Sequence, residues 1–301
     1  MSERNATEPV LAFTGERYTP ESVREIAYEH WHRYAFAYRL AKGRRVLDAA
    51  CGEGYGSALL AQIAQDVVGV DLSEEAIAHA RSRYSTPNLR FERSDATALD
   101  AFDAAQFDLI VSFETLEHVQ QQERMLDGFA RLLAPDGLLL ISTPDKRNYT
   151  DLSGQINPHH VRELYRGEFE ALLRPRFAHV RLYAQKLLFQ SALWALDGDD
   201  GATQALVQDG ARIANGLSYP PLYYLAVCAH SAAVLAELPA LSLYGDAQES
   251  VYAHYDAEVR RNIAAGGRIK ELEAQLAKLE SAVPMQIAAG TGASPPDPSR
   301  D

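Results

Sequence analysis

Asp48 and Asp71 close two apolar runs, Val46-Leu47-Asp48 and Val67-Val68-Gly69-Val70-Asp71. After the first, glycine recurs at every second position, Gly52, Gly54 and Gly56. Each run reads as a buried strand ending in an acid. Acids at the carboxyl ends of adjacent parallel strands are placed to hold ribose hydroxyls in the crevice of an open α/β sheet. Alternate glycines let the backbone turn tightly and let a ligand approach with no Cβ in the way. The spacing points to a nucleoside site, with an ordinary glycine-rich turn as the plainer alternative.

The details of spacing choose among nucleosides. A dinucleotide fingerprint wants a third glycine three residues after the second, a position taken by Ser57. Carboxylates at Asp48 and Glu53 would repel a pyrophosphate, whereas a ligand carrying a sulfonium and an ammonium would be tolerated. The run Val46 to Gly56 resembles motif I of the class I S-adenosylmethionine (SAM) methyltransferases, with Asp71 matching the ribose-binding acid of that family. The resemblance continues over roughly residues 30–232. Ser94-Asp95-Ala96 follows a third strand, Leu89 to Glu92, and Asp95 matches the acid that accepts a hydrogen bond from the adenine amine. Phe107 to Phe113 is a fourth strand. Glu114-Thr115-Leu116-Glu117-His118-Val119 after it looks like the motif of ubiquinone-type small-molecule methyltransferases. The resemblance therefore implies SAM as cofactor, S-adenosylhomocysteine as product, and contacts from Asp48, Gly52, Gly54, Gly56, Asp71, Leu72, Ser94, Asp95, Ala96, Phe113 and Glu114.

Methyl transfer to a hydroxyl gains from a general base within hydrogen-bond reach, and histidine suits that task near neutral pH. His118 follows strand four at the carboxyl edge. His159 and His160 lie in Asn157-Pro158-His159-His160-Val161, which resembles the Asn-Pro-x-His-Val stretch that borders the acceptor in many small-molecule methyltransferases. Each histidine also has a bland reading, as a helix cap or a loop fastener. A divalent metal on Glu117, His118 and His159 is conceivable but not favoured, because no carboxylate cluster has clear metal-ligand spacing.

These residues need a scaffold, and the order of segments supplies one. Strands alternating with helical stretches argue a parallel sheet with right-handed crossovers. A helix over 119–134 closes at the turn Pro135-Asp136-Gly137, and Leu138 to Thr143 is a fifth strand. His179 to Leu188 and Tyr223 to His230 read as strands six and seven, the last antiparallel as the family has it. The fold expected is a Rossmann-like, doubly wound seven-stranded α/β sheet with an N-terminal helical segment and a short C-terminal coiled coil. Ahead of the sheet, the helix Tyr28 to Tyr38 carries Trp31, Tyr34 and Tyr38. These aromatics form either a packed face or, with His30 and Arg33, the mixture that polyhydroxyl sites favour. In related enzymes such a helix covers the SAM pocket, so Arg33 is a candidate for the SAM carboxylate and Tyr18 or Tyr34 for the acceptor.

Composition sets the remaining bounds. The chain has 301 residues, net charge −12 and two cysteines, an acidic balance that argues against nucleic acid as the default substrate. No apolar run approaches about 20 residues, no signal-peptide segment is apparent, and a cytoplasmic setting is expected. The segments expected are a helical cap over 1–40, a methyltransferase domain over 41–232 with a lid insertion at 189–222, a helical connector over 233–267, a coil over 268–284 and a disordered tail over 285–301. Ile269, Leu272, Leu276, Leu279 and Val283 alternate at intervals of three and four after a break at Gly266-Gly267. That is a coiled-coil seam pointing to self-association, or else a face packed on its own domain.

The function expected is SAM-dependent O-methylation of a sugar or polysaccharide precursor, since Glu29-His30-x-x-Arg33-Tyr34 and Ser250 to Asp256 look like methyltransferases of bacterial surface-glycan assembly. The alternatives are a quinone or natural-product O- or C-methyltransferase, whose acceptor pocket would use Phe189, Leu193 and Trp194, and a non-catalytic SAM-binding scaffold.

Overall fold

The computed structural model describes residues 25–197 and 203–282. Tyr18, Val283 and the tail over 285–301 lie outside the described residues. In chain order the elements are α1 (Glu25–Leu40), β1 (Arg45–Ala49), α2 (Tyr55–Ala61), β2 (Asp66–Asp71), α3 (Glu74–Arg83), β3 (Leu89–Arg93), β4 (Phe107–Ser112), α4 (Gln122–Leu132), β5 (Leu133–Pro144), α5 (Arg166–Leu173), β6 (His179–Gln185), β7 (Leu206–Asp209), β8 (Arg212–Asn215), β9 (Tyr223–Ala229) and α6 (Ser250–Ala282).

Seven strands form one sheet in the order β3-β2-β1-β4-β5-β9-β6. β1 to β5 run parallel, and β9 lies antiparallel between β5 and β6. This is the Rossmann-like architecture expected, with its antiparallel last strand. The near-continuous apolar runs exist because both faces of the sheet are covered. Successive side chains of a strand point to opposite faces. Thus Leu47, Val68, Ile110 and Leu139 pack with Met125, Phe129, Phe169 and Leu173 of α4 and α5. Val46, Val67, Leu109 and Leu138 face Tyr34, Ala37 and Leu60 of α1 and α2.

Several boundaries differ from the sequence reading. The helix expected over 119–134 ends at Leu132, and β5 begins at once. Phe107 pairs with Leu133, but Leu109 already pairs with Leu138. Ala134 to Gly137 therefore bulge out of the ladder, with Pro135 and Asp136 exposed. Strand six ends at Gln185 rather than Leu188, and the 189–222 insertion carries an antiparallel hairpin, β7–β8. Among the described residues no helix is long and apolar enough to cross a membrane.

The chain divides into two compact units, residues 1–246 and 247–301. In the second unit, α6 runs from Ser250 to Ala282 straight through Gly266-Gly267, where the sequence suggested a break. Two glycines cost about 2 kcal/mol in a helix interior. Here they are flanked by strong helix formers, Ala264 and Ala265 before and Lys270, Glu271 and Leu272 after, and the helix continues.

Candidate active site

The loops at the carboxyl ends of β1, β2, β4 and β5 open onto one cavity of about 620 Å³, a volume suited to a small-molecule ligand. Gly52, Asp71, Leu72, Ser73 and Phe113 line one part. Asp71 is fixed by main-chain donors: Gly52 N–H donates to Oδ2 at 3.0 Å and Ser73 N–H to Oδ1 at 2.8 Å. The two acid-ended strands are thereby joined across the glycine loop.

α1 forms the roof. Ile26, His30 and Tyr34 recur at intervals of four and present one helical face to the cavity. The roof sits close because residue 56 lacks a side chain: a Cβ there would lie 2.0 Å from Tyr34 Cζ. Gly54 is required for another reason. Its φ is +87°, and a Cβ would meet the Phe91 ring at 2.6 Å.

Not every residue named from the sequence reaches the cavity. Asp48 is buried behind Tyr34, whose hydroxyl donates to its two oxygens at 3.1 and 3.2 Å, while Ser57 Oγ donates at 2.6 Å. Burial pushes the Asp48 carboxyl up to about 7, against the pull of these donors. Glu53 turns away to pair with His79 at 3.0 Å and Arg83 at 3.6 Å. Gly54, Gly56, Ser94, Asp95 and Ala96 are absent from the lining. Asp95 is exposed and fastens its own turn by accepting from the Thr97 N–H and Oγ1, both at 2.8 Å.

Arg33 does not line the cavity either. It is 1% exposed, donates from Nε to Gln185 Oε1 at 2.8 Å, pairs with Glu114 at 3.5 Å and lies 4.5 Å over the Tyr223 ring. Glu114 itself lines the cavity. Its φ is +51°, a conformation that is uncommon away from glycine and clusters at functional sites. Ser142 holds it there: the Glu114 N–H donates to Ser142 Oγ at 3.0 Å, and that hydroxyl donates back to Glu114 Oε1 at 2.6 Å.

The remaining wall gathers His118, His159 and His160 with Glu117, Tyr149, Asn157 and Tyr223. Two clamps bring the histidines together across 40 residues of sequence. The Glu117 carbonyl accepts from the Val161 and Arg162 N–H groups at 2.8 and 3.1 Å. The Gln122 amide bridges the Leu116 and Arg162 carbonyls at 2.8 and 2.9 Å. His118 donates from Nδ1 to the His159 carbonyl at 3.2 Å, which leaves the lone pair of the neutral ring on Nε2. Burial lowers the His118 pKa below its ordinary 6.5, more than the His159 carbonyl raises it, so the ring is neutral at pH 7.

His160 is held differently. Nδ1 donates to Glu163 at 2.5 Å and Nε2 accepts from the Asn157 amide at 3.0 Å, and the ring stacks on Tyr149 at 5.4 Å. Glu117, His118 and His160 each bring one ligand atom within 4.8 Å of the others. The cluster takes His160 where the sequence suggested His159. Coordination would displace a hydrogen bond that each His160 nitrogen already makes. Burial and the neighbouring Glu114 push the Glu117 carboxyl well above the usual range.

Sequence reasoning passed over Gln122, Tyr149 and Tyr223 as site residues. Tyr149 and Tyr223 meet at 5.8 Å only because β9 inserts beside β5, which no local pattern near Tyr149 announces. Gln122 carried one faint signal, a polar residue at the start of an otherwise apolar helical face.

Residues 47–141 match the family described as "Methyltransferase domain". A "probable S-adenosylmethionine-dependent methyltransferase" of Mycobacterium tuberculosis, MT3114, is 39% identical over 57% of this chain and 63% of its own length. One of Mycolicibacterium smegmatis is 36% identical over 56% and 66%. A ubiquinone biosynthesis O-methyltransferase of Psychrobacter arcticus is 34% identical over 40% and 49%. This chain thus spans less than two thirds of the length of these relatives. The matched region is the one that carries the two acid-ended strands and the glycine loop. Over residues 47–141 the chain carries a methyltransferase domain similar to that of these S-adenosylmethionine-dependent relatives.

Proposed function

We propose that the protein transfers the methyl group of SAM to a hydroxyl of a sugar or polysaccharide precursor. The observation that carries this reading is the polar, aromatic character of the wall around His118: Tyr149, Asn157, His159, His160 and Tyr223 all line the cavity there. Rings that also donate and accept hydrogen bonds suit a polyhydroxyl ligand. The residues a quinone-type pocket would need, Phe189, Leu193 and Trp194, are 71%, 101% and 72% exposed and stand outside this lining.

The donor set fits SAM. Asp71 is placed for the ribose hydroxyls, Gly52 offers a wall without a side chain, and Glu114 is a carboxylate near which a cationic ligand is tolerated. When bound, SAM supplies a methyl carbon already activated by its sulfonium. His118 accepts the acceptor's hydroxyl proton at Nε2, and its Nδ1–H, held by the His159 carbonyl, keeps the ring in the tautomer that can do so. Orienting the acceptor hydroxyl falls to the Tyr149, Asn157 and His160 group, which Glu163 stiffens. Positioning of this kind supplies much of the acceleration in a displacement reaction. α1 covers the cavity on one side through Ile26, His30 and Tyr34.

The test is release of S-adenosylhomocysteine in the presence of neutral oligosaccharides or of alkylated catechols. Stimulation by saccharides supports the reading. Stimulation by catechols alone favours the quinone-type alternative, and no stimulation despite SAM binding favours a scaffold.

A further inference from the structure

α6 presents an apolar stripe to solvent: Ile269, Leu272, Leu276 and Leu279 are 55%, 47%, 56% and 66% exposed. Intervals of three, four and three place Ile269 and Leu276 at a positions and Leu272 and Leu279 at d positions of a heptad. The same frame continues toward the amino end, with Ala265 at d and Asn262 at a, so the seam covers three heptads of one unbroken helix.

The residues flanking the seam select its occupant. In this frame Arg268 and Gln275 are g positions, while Glu273 and Glu280 are e positions. Between two parallel copies each g residue faces the e residue five places on in the other chain, which sets Arg268 against Glu273 and Gln275 against Glu280. Between antiparallel copies e meets e and g meets g, so the Arg268–Glu273 attraction does not form. β-branched Ile269 at a with Leu272 at d favours two strands, and a single asparagine at a fixes the register. We infer that α6 pairs with α6 of a second copy as a parallel two-stranded coiled coil over residues 262–282. Arg268 also pairs within its own helix with Glu271 at 2.9 Å, an exposed contact that exchanges for an interhelical one at little net cost.

The experiment uses the full chain, with molar mass measured by sedimentation equilibrium. Wild type is expected as a dimer. Arg268→Glu alone and Glu273→Arg alone should each weaken dimerisation roughly ten-fold by turning two attractions into repulsions. The double swap Arg268→Glu with Glu273→Arg should restore it. Leu279→Cys, a d position, should form an in-register disulfide dimer on oxidation, against a clean background because Cys51 and Cys228 are buried. Circular dichroism and SAM affinity should be unchanged in all variants, which separates failed pairing from failed folding. A monomer at every concentration overturns the proposal, and so does a dimer indifferent to the charge swaps. Absence of the Leu279→Cys crosslink in a dimer overturns the parallel arrangement.

Discussion

The Nδ1–H of His118 donates to the main-chain carbonyl of His159, not to its ring, at 3.2 Å. The two residues are linked, yet they make unequal demands on their side chains. His118 needs its imidazole to take a proton, whereas His159 contributes to that link only what any residue would.

Substitution should separate them. His118→Ala should lower kcat roughly 10²- to 10⁴-fold, the usual worth of a general base, with SAM affinity unchanged. His159→Ala should keep kcat within about ten-fold, near 1.4 kcal/mol. Steady-state kinetics with calorimetry of SAM binding checks both. Equal losses would reassign the base.

The pH profile follows from the His118 environment. Protonated His118 cannot accept a proton, and burial holds its pKa below 6.5. Turnover should be flat from neutral pH upward to the limit of stability and fall only on the acid side, with an apparent pKa under 6.5. A rate that keeps rising through pH 8 would contradict this assignment.

Asp48 gives a stability test with a defined sign. Its folded pKa is raised from 3.8 to about 7, so the folded state holds the proton more tightly than the unfolded chain. The resulting stability is complete below pH 3.8 and lost as pH rises through about 7. Asp48→Asn, which carries no charge to bury, should therefore gain on wild type as pH rises from 4 to 8. The gain should level off at on the order of a few kcal/mol. Denaturant midpoints at pH 4.5 and 8 measure it, and a difference that does not depend on pH would place Asp48 in water.

Gly56 carries the contact between roof and floor. Gly56→Ala puts a methyl 2.0 Å from Tyr34 Cζ, and overpacking of this kind costs about 1–3 kcal/mol. Because the displaced element is the roof of the cavity, SAM affinity should fall along with thermal stability. Loss of stability with intact affinity would detach α1 from the cofactor site.

Gln122 tests the clamp on the histidine loop. Gln122→Leu removes the donor that bridges the Leu116 and Arg162 carbonyls and leaves Leu116 only the 3.4 Å bond from the Val119 N–H, a cost of about 1–3 kcal/mol. It should lower kcat by loosening the 157–163 loop relative to His118, while SAM affinity holds. Unchanged turnover would mean that the Glu117 carbonyl suffices to hold the loop.

What could be read in advance divides along sequence separation. The strand-ending acids and the glycine loop announce themselves within 26 residues, Val46 to Asp71, because strand, turn and helix signals are local. The sheet could be anticipated for the same reason. Tyr34 against Gly56 could not, since it depends on where α1 lands. Nor could the burial of Asp48, because the residue that covers it lies in that helix. Gly266-Gly267 misled in the opposite direction: a local breaker was outweighed by the helix formers on both sides.

The central claim is transfer of a methyl group to a carbohydrate oxygen in the cavity beneath α1. The most direct measurement is NMR of products from SAM labelled with ¹³C in its methyl group, with neutral oligosaccharides and alkylated catechols offered together. A new O-methyl signal coupled to a sugar carbon is expected, and its loss in His118→Ala. A signal coupled only to an aromatic carbon, or a sugar signal undiminished in that variant, would contradict it.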